Sequence, residues 1–249
     1  MKMRFGLGGS AWLVLAATTV AQVGLTGSVG VPTTSLSDQS AAAPLVLSVS
    51  DEYGHARLSL DYGEVRLFAD VAHSVAFNLG STSEGTYNDL ATIHAPGLAG
   101  TSGTATAHVW FEGAFGGSGP TWQATFSTSV YVNGVGEHRF SGDSSAFGPT
   151  GEPLPMMVDV FFAFTYGSPF GITVLQSAGV SSNEGSVFAD FESTARWEGI
   201  TDLRDGGGNL VTNATLESAS GADYLNPVPE PTTLTVLFLG VALALRRRA

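Results

Sequence analysis

The sequence predicts an all-β fold: a single antiparallel β-sandwich with jelly-roll-like topology, flanked by an N-terminal signal helix and a short C-terminal hydrophobic helix. Two observations in the body carry this. Apolar and polar residues alternate with period two over many short runs, the signature of strands with one buried face, and no segment holds a 3.6-residue helical period. Glycine is abundant at 32 of 249 residues, which suits turns and weakens helix interiors. With 43% apolar and 13% charged residues the chain has enough apolar surface to close a core.

Taken in order, residues 22–44 are rich in Ser, Thr, Ala and Gly without strong periodicity and read as an irregular N-terminal arm or a first irregular strand. The sandwich body is expected over 45–226. Leu58, Leu60 and Tyr62 alternate with Arg57, Ser59 and Asp61, and after a turn at Gly63 the residues Val65, Leu67, Ala69 and Val71 continue the pattern. Further strand candidates are 74–79, 104–111, 122–132, 158–166 and 172–175. The clearest alternation is 187–199. It places Phe191 and Trp197 on a buried face and Asp190, Glu192 and Glu198 on an exposed one, with a bend near Ser193. The Gly-rich stretches 95–104 and 113–121 read as loops, and 148–155, with three prolines, as a crossover between strands.

Charge and composition narrow the function. Five of the ten basic residues lie at the extreme ends (Lys2, Arg4, Arg246, Arg247, Arg248), so the body holds five arginines and no lysine against 21 acidic residues. Such a surface repels phosphate backbones and argues against nucleic-acid binding. The absence of cysteine excludes disulfides, zinc–thiolate sites and a thiol nucleophile.

The two ends are built for export. Lys2 and Arg4 precede an apolar run over 11–20, and Thr19-Val20-Ala21 offers acceptable residues for cleavage after Ala21, so 1–21 reads as a signal peptide. At the other end, over 227–249, Val228-Pro229-Glu230-Pro231 leads into an apolar segment over 234–245 and then Arg246, Arg247 and Arg248. Counted from Pro231, the apolar segment spans about 22 Å as a helix, short of a hydrocarbon core of about 30 Å. The three arginines favour the cytoplasmic side and leave the body outside.

This tripartite end resembles the PEP-CTERM sorting domain of Gram-negative bacteria. The resemblance implies recognition by an exosortase-type membrane enzyme, cleavage near the Pro-Glu-Pro motif and a link to extracellular polysaccharide or biofilm matrix. It covers about the last 24 residues. The run from Phe188 to Tyr224, with its Asp205-Gly206-Gly207-Gly208-Asn209 turn and its Ser220-Gly221-Ala222-Asp223-Tyr224 closing run, is more loosely similar to the region that precedes the tag in such proteins. That likeness implies an extracellular β-sandwich module and brings no catalytic residues.

Within the body no catalytic, metal or cofactor site is expected. Gly142-Asp143-Ser144 matches a lipase-like triplet but lacks a following Asp-x-x-His and reads as a turn. The histidines at 55, 73, 94, 108 and 138 form no metal-binding spacing. Asp190 and Glu192 sit on one strand face as glycosidase carboxylates do, and equally as a solvated charged face does. Asp202, Asp205 and Asn209 surround a turn that misses the spacing of an EF-hand; it reads as a plain hairpin turn, with a loose calcium site as the alternative. Trp110 and Trp122 are the candidates for stacking on sugar rings, against the alternative that they are core. The expected function is therefore a non-enzymatic cell-surface or matrix protein. It is transiently held in the inner membrane by its C-terminus before processing, and its partners are an exosortase-type enzyme and extracellular polysaccharide. The alternatives are a carbohydrate-binding module acting on exopolysaccharide and, behind it, a secreted hydrolase.

Overall fold

The computed structural model describes residues 23–227, side chains 73–78 and 193–194 aside. The signal segment, the Pro-Glu-Pro motif, the apolar segment and the Arg cluster lie outside these residues, as do both flanking helices expected from the sequence. The described chain is all β. Eleven strands follow one another: β1 (Gly24–Val31), β2 (Thr34–Ser40), β3 (Leu45–Ser50), β4 (Gly54–Asp61), β5 (Glu64–His94), β6 (Ser102–Val132), β7 (Val135–Ser144), β8 (Thr150–Gly151), β9 (Met156–Thr165), β10 (Pro169–Asp205) and β11 (Thr215–Ser218). Every pairing between them is antiparallel. Among the described residues no helix is long and apolar enough to cross a membrane.

Three strands are unusually long: β5 and β6 have 31 residues each and β10 has 37. β10 runs between β5 and β6, and both flanking strands change their outer partner partway along. β5 pairs with β4 through residues 64–71 and with β1 through 82–88. β6 pairs with β9 through 102–111 and with β7 through 123–132. At the changeover β10 slips register near Ser182–Glu184 and again between Asp190 and Thr194, so the bend expected near Ser193 falls at a bulge.

These bends explain the first departure from the sequence reading. The Gly-rich stretch 113–121, expected as a loop, is the middle of β6. Its glycines leave room for what lies against them: Phe191 beside Gly113, Phe188 beside Gly116 and the indole of Trp122 beside Gly117. Gly119, at φ +95°, passes the backbone of Glu184. The second departure lies within 22–44, where residues 24–40 form a regular hairpin of β1 and β2 turning at Pro32-Thr33, and the Thr33 amide and hydroxyl both donate to Asp51 Oδ2. Its alternation is hidden because β2 has almost no buried face.

The halves of the bent sheet face each other. Leu58 and Leu60 of β4 fill the space that side chains at Gly27 and Gly85 would take. Phe126, from the later half of β6, stacks at 4.0 Å between centroids on Phe191 of β10, and Phe111 and Phe115 flank the pair. Val187, Ala189, Phe191, Ala195 and Trp197 are buried, as the alternation requires. Asp190, Glu192 and Glu198, expected to be exposed, are half-buried, because Glu192 pairs with Arg57 of β4 and Glu198 with Arg196.

Candidate functional site

The two tryptophans singled out for sugar stacking lie on the same strand, one on each side of its bend. Trp110 belongs to the first half of β6, where Ala105, Ala107, Val109 and Phe111 point inward and Thr104, Thr106, His108 and Trp110 point outward. Registration places Met157 and Arg196 on either side of Trp110, and Phe161 and Thr201 on either side of Thr106. Phe161 is 61% exposed. Between these rows His108 bridges three strands: Nδ1 lies 2.6 Å from Asp159 Oδ1 and Nε2 lies 2.7 Å from Thr201 Oγ1.

Hydroxyl, imidazole and carboxylate in that order are the parts of a nucleophile relay. Here they stand on the outer face of the sheet, and the Asp159 side chain is 61% exposed. In this setting they act as a cross-strand polar ladder, worth a fraction of a kcal/mol to about 1 kcal/mol per pair. Sequence reasoning missed the cluster because its members are 51 and 93 residues apart, and only the register joins them.

Trp122 opens the second half of β6 and is half-buried, its indole against the bare backbone of Gly117. Next to it, at the end of β7, Ser144–Gly148 forms a tight turn. The Phe147 amide donates to Ser144 Oγ at 3.1 Å and the Gly148 amide to the Ser144 carbonyl at 3.0 Å. The turn is tied to the tryptophan in turn: the Trp122 amide donates to Ser145 Oγ at 3.0 Å, and the Ser145 amide to the Trp122 carbonyl at 3.1 Å. Phe147 nevertheless remains 86% exposed. Trp122 and Phe147 line a groove of about 310 Å³ together with Gln123, Ser144, Ser181 and Asn183, and none of its lining residues is charged.

The other candidates are scattered. The Gly142-Asp143-Ser144 triplet, expected as a turn, is the end of β7, paired with Thr125, Ala124 and Gln123 of β6, and Ser144 caps the turn that follows. His55 packs on Phe68, His94 approaches Glu217 at 3.6 Å and His138 Nδ1 meets Ser129 Oγ at 2.9 Å, so these three and His108 occupy four separate places. Asp190 accepts the Glu192 amide at 3.0 Å, and Glu192 is held by Arg57. Asp205 Oδ1 accepts the amides of Gly207 and Asn209, both at 2.9 Å, and hydrogen bonds from Asn209 lead the effects that hold its carboxyl below the usual range. Among the described residues no group of three His, Asp or Glu is placed to hold a metal ion.

A polar cluster around a buried carboxylate was not anticipated. Asp89 of β5 is fully buried and accepts the Tyr224 hydroxyl at 2.9 Å, the Ser220 hydroxyl and the Ser220 amide at 3.2 Å. The Ser220–Tyr224 closing run is thereby drawn into the body, and Trp197 Nε1 donates to the Tyr224 carbonyl at 2.8 Å. The signal was parity: Asp89 shares the inward phase of Tyr87, Ala91 and Ile93.

Burial first, then the nearby Asp89 charge, pushes the Tyr87 phenol far above its usual value of 10.0; burial, then Tyr87 and Asp89, does the same for Tyr224. Both phenols stay neutral in the folded state while the unfolded chain ionises them above pH 10.0. The stability they carry is complete below that pH and is lost as pH rises further, by up to about 1.4 kcal/mol per pH unit for each. Urea midpoints between pH 9 and 11.5 are expected to fall beyond pH 10, and Tyr224→Phe is expected to flatten the fall by about half. A midpoint unchanged over this range would contradict the burial of both hydroxyls.

No family model matches the chain, and neither a curated protein nor a solved structure matches it.

Proposed function

We propose that this chain is an exported, non-enzymatic cell-surface or matrix protein, sorted through its C-terminal segment by an exosortase-type membrane enzyme. The observation that carries the reading is the order of the last residues: Val228-Pro229-Glu230-Pro231, a short apolar segment over 234–245, then Arg246, Arg247 and Arg248. Pro229 and Pro231 each lack an amide hydrogen and keep the preceding residue extended, a form a processing enzyme grips, with Glu230 as a polar handle. The arginines resist transfer through the bilayer at a few kcal/mol each and hold the segment in place during processing. The basic start followed by an apolar run supports export, and the acidic, lysine-free, cysteine-free body is consistent with life outside the cell.

The body is read as a two-layer β-sandwich. The packing of Leu58 and Leu60 against Gly27 and Gly85 and of Phe126 against Phe191 supports this, since each contact joins opposite halves of the bent sheet. The long strands β5, β6 and β10 then pass from one layer to the other, which sets the topology apart from two sheets joined by loops alone.

Replacing Pro229-Glu230-Pro231 with three alanines tests the sorting proposal. The full-length precursor is expected to accumulate in the inner membrane while the wild-type body reaches the surface. Equal surface release of both would overturn it. The uncharged aromatic groove at Trp122 favours a second reading of the body, as a module that binds polysaccharide outside the cell.

A further inference from the structure

We infer that the groove between Trp122 and Phe147 is a binding site for a neutral glycan chain, an assignment that rests on the polysaccharide-binding reading. The first support is energetic. Burying a phenyl ring stabilises a protein, yet Phe147 is left 86% exposed on a turn that hydrogen bonds hold fixed. A ring kept in water on a rigid mount is arranged for a ligand to cover.

The second support is pre-organisation. The Ser145 hydrogen bonds lock the turn to the Trp122 backbone, so the backbone that presents Phe147 is fixed beside that of Trp122 before anything binds. Little ordering is left to oppose association. The third is chemical. A sugar ring offers an apolar face of C–H groups and an equator of hydroxyls. Trp122 and Phe147 match the face, while Gln123, Ser144, Ser181 and Asn183 supply amide and hydroxyl groups that donate and accept. The groove's volume lies at the small end of ligand pockets, which run from about 300 to 1,000 Å³, so it takes one or two rings of a longer chain.

Charge selects the class of glycan. No Arg or Lys lines the groove, and the body around it holds five arginines against 21 acids, so a polyuronate or sulfated chain is repelled. Trp110 does not share this setting, since Arg196 pairs beside it and the His108–Asp159 bridge lies one row away.

The test is titration of the full chain, held in a zwitterionic detergent without sugar headgroups, against cellohexaose, mannohexaose and an acidic hexauronate. Saturable binding to at least one neutral chain and none to the hexauronate is expected. Phe147→Ala is expected to weaken it about tenfold or more, and Trp110→Ala to leave it unchanged. Because Trp122 is half-buried, Asn183→Ala serves as the second variant, expected to weaken binding with an unchanged unfolding midpoint. Binding that survives Phe147→Ala and Asn183→Ala but is lost with Trp110→Ala would overturn the groove and leave the polysaccharide-binding reading standing. No saturable binding to either neutral chain would overturn both.

Discussion

Truncating Trp197 to alanine is expected to destabilise the protein by about 3–5 kcal/mol, read as a shift of the urea midpoint at constant slope. The side chain is fully buried in β10 and meets the Tyr224 ring edge-on at 5.0 Å between centroids. Its removal leaves a large void in a core that relaxes only partially. It also takes away the indole N–H that the Tyr224 carbonyl accepts, leaving a buried acceptor without its donor. Trp197→Phe separates the two effects: it restores most of the volume but not the donor, and a loss of about 1–2 kcal/mol is expected. A change below about 1 kcal/mol for the alanine variant would contradict the placement of this residue.

Replacing Asp89 with alanine is expected to cost a similar amount, about 3–5 kcal/mol, although the lost side chain is small. The cost comes from stranded partners. The Tyr224 hydroxyl, the Ser220 hydroxyl and amide, and the Leu90 amide at 2.8 Å all donate to this fully buried carboxyl group, and its loss leaves them without an acceptor. Loss of the acceptor frees the Ser220–Tyr224 run. Limited proteolysis of Asp89→Ala is therefore expected to cut near 218–226 at denaturant concentrations where the wild type resists. Asp89→Asn keeps one acceptor oxygen and is expected to fall between the two. If Asp89→Ala leaves the run protected, the closing segment is held by its other bonds, those of Trp197 to Tyr224, Ser218 to Ala222 and Ala219 to Leu90.

Both predictions rest on features of unequal legibility. The burial of Trp197 follows from the alternation over 187–199, because strand period and half-burial are local properties of the sequence. The bend near Ser193 was legible for the same reason, as the point where that alternation loses its contrast. Asp89 shares the inward phase of Tyr87, Ala91 and Ile93, but no strand is expected there from the sequence, and an acid at such a position has meaning only once Ser220 and Tyr224 are known to reach it, 131 and 135 residues later.

Glycine produced the clearest misreading. In 113–121 its abundance reads as loop composition, whereas three of its glycines sit where Phe188, Phe191 and Trp122 press on the strand. Local composition does not distinguish a glycine needed for a turn from one needed for close approach. The β2 strand was obscured for the opposite reason: an edge strand with polar residues on both faces carries no period-two signal. The Trp122 groove combines the two cases. The tryptophan was visible as a candidate, but its partner Phe147 and the hydrogen-bonded turn that presents it depend on how β6 and β7 meet.

Export with removal of both ends is read from the intact mass of the native protein recovered from the cell surface. The expected mass lacks residues 1–21, the apolar segment over 234–245 and Arg246, Arg247 and Arg248, with cleavage near the Pro-Glu-Pro motif. A surface protein whose mass still contains the terminal arginines would contradict it and leave the apolar segment as a plain tail anchor.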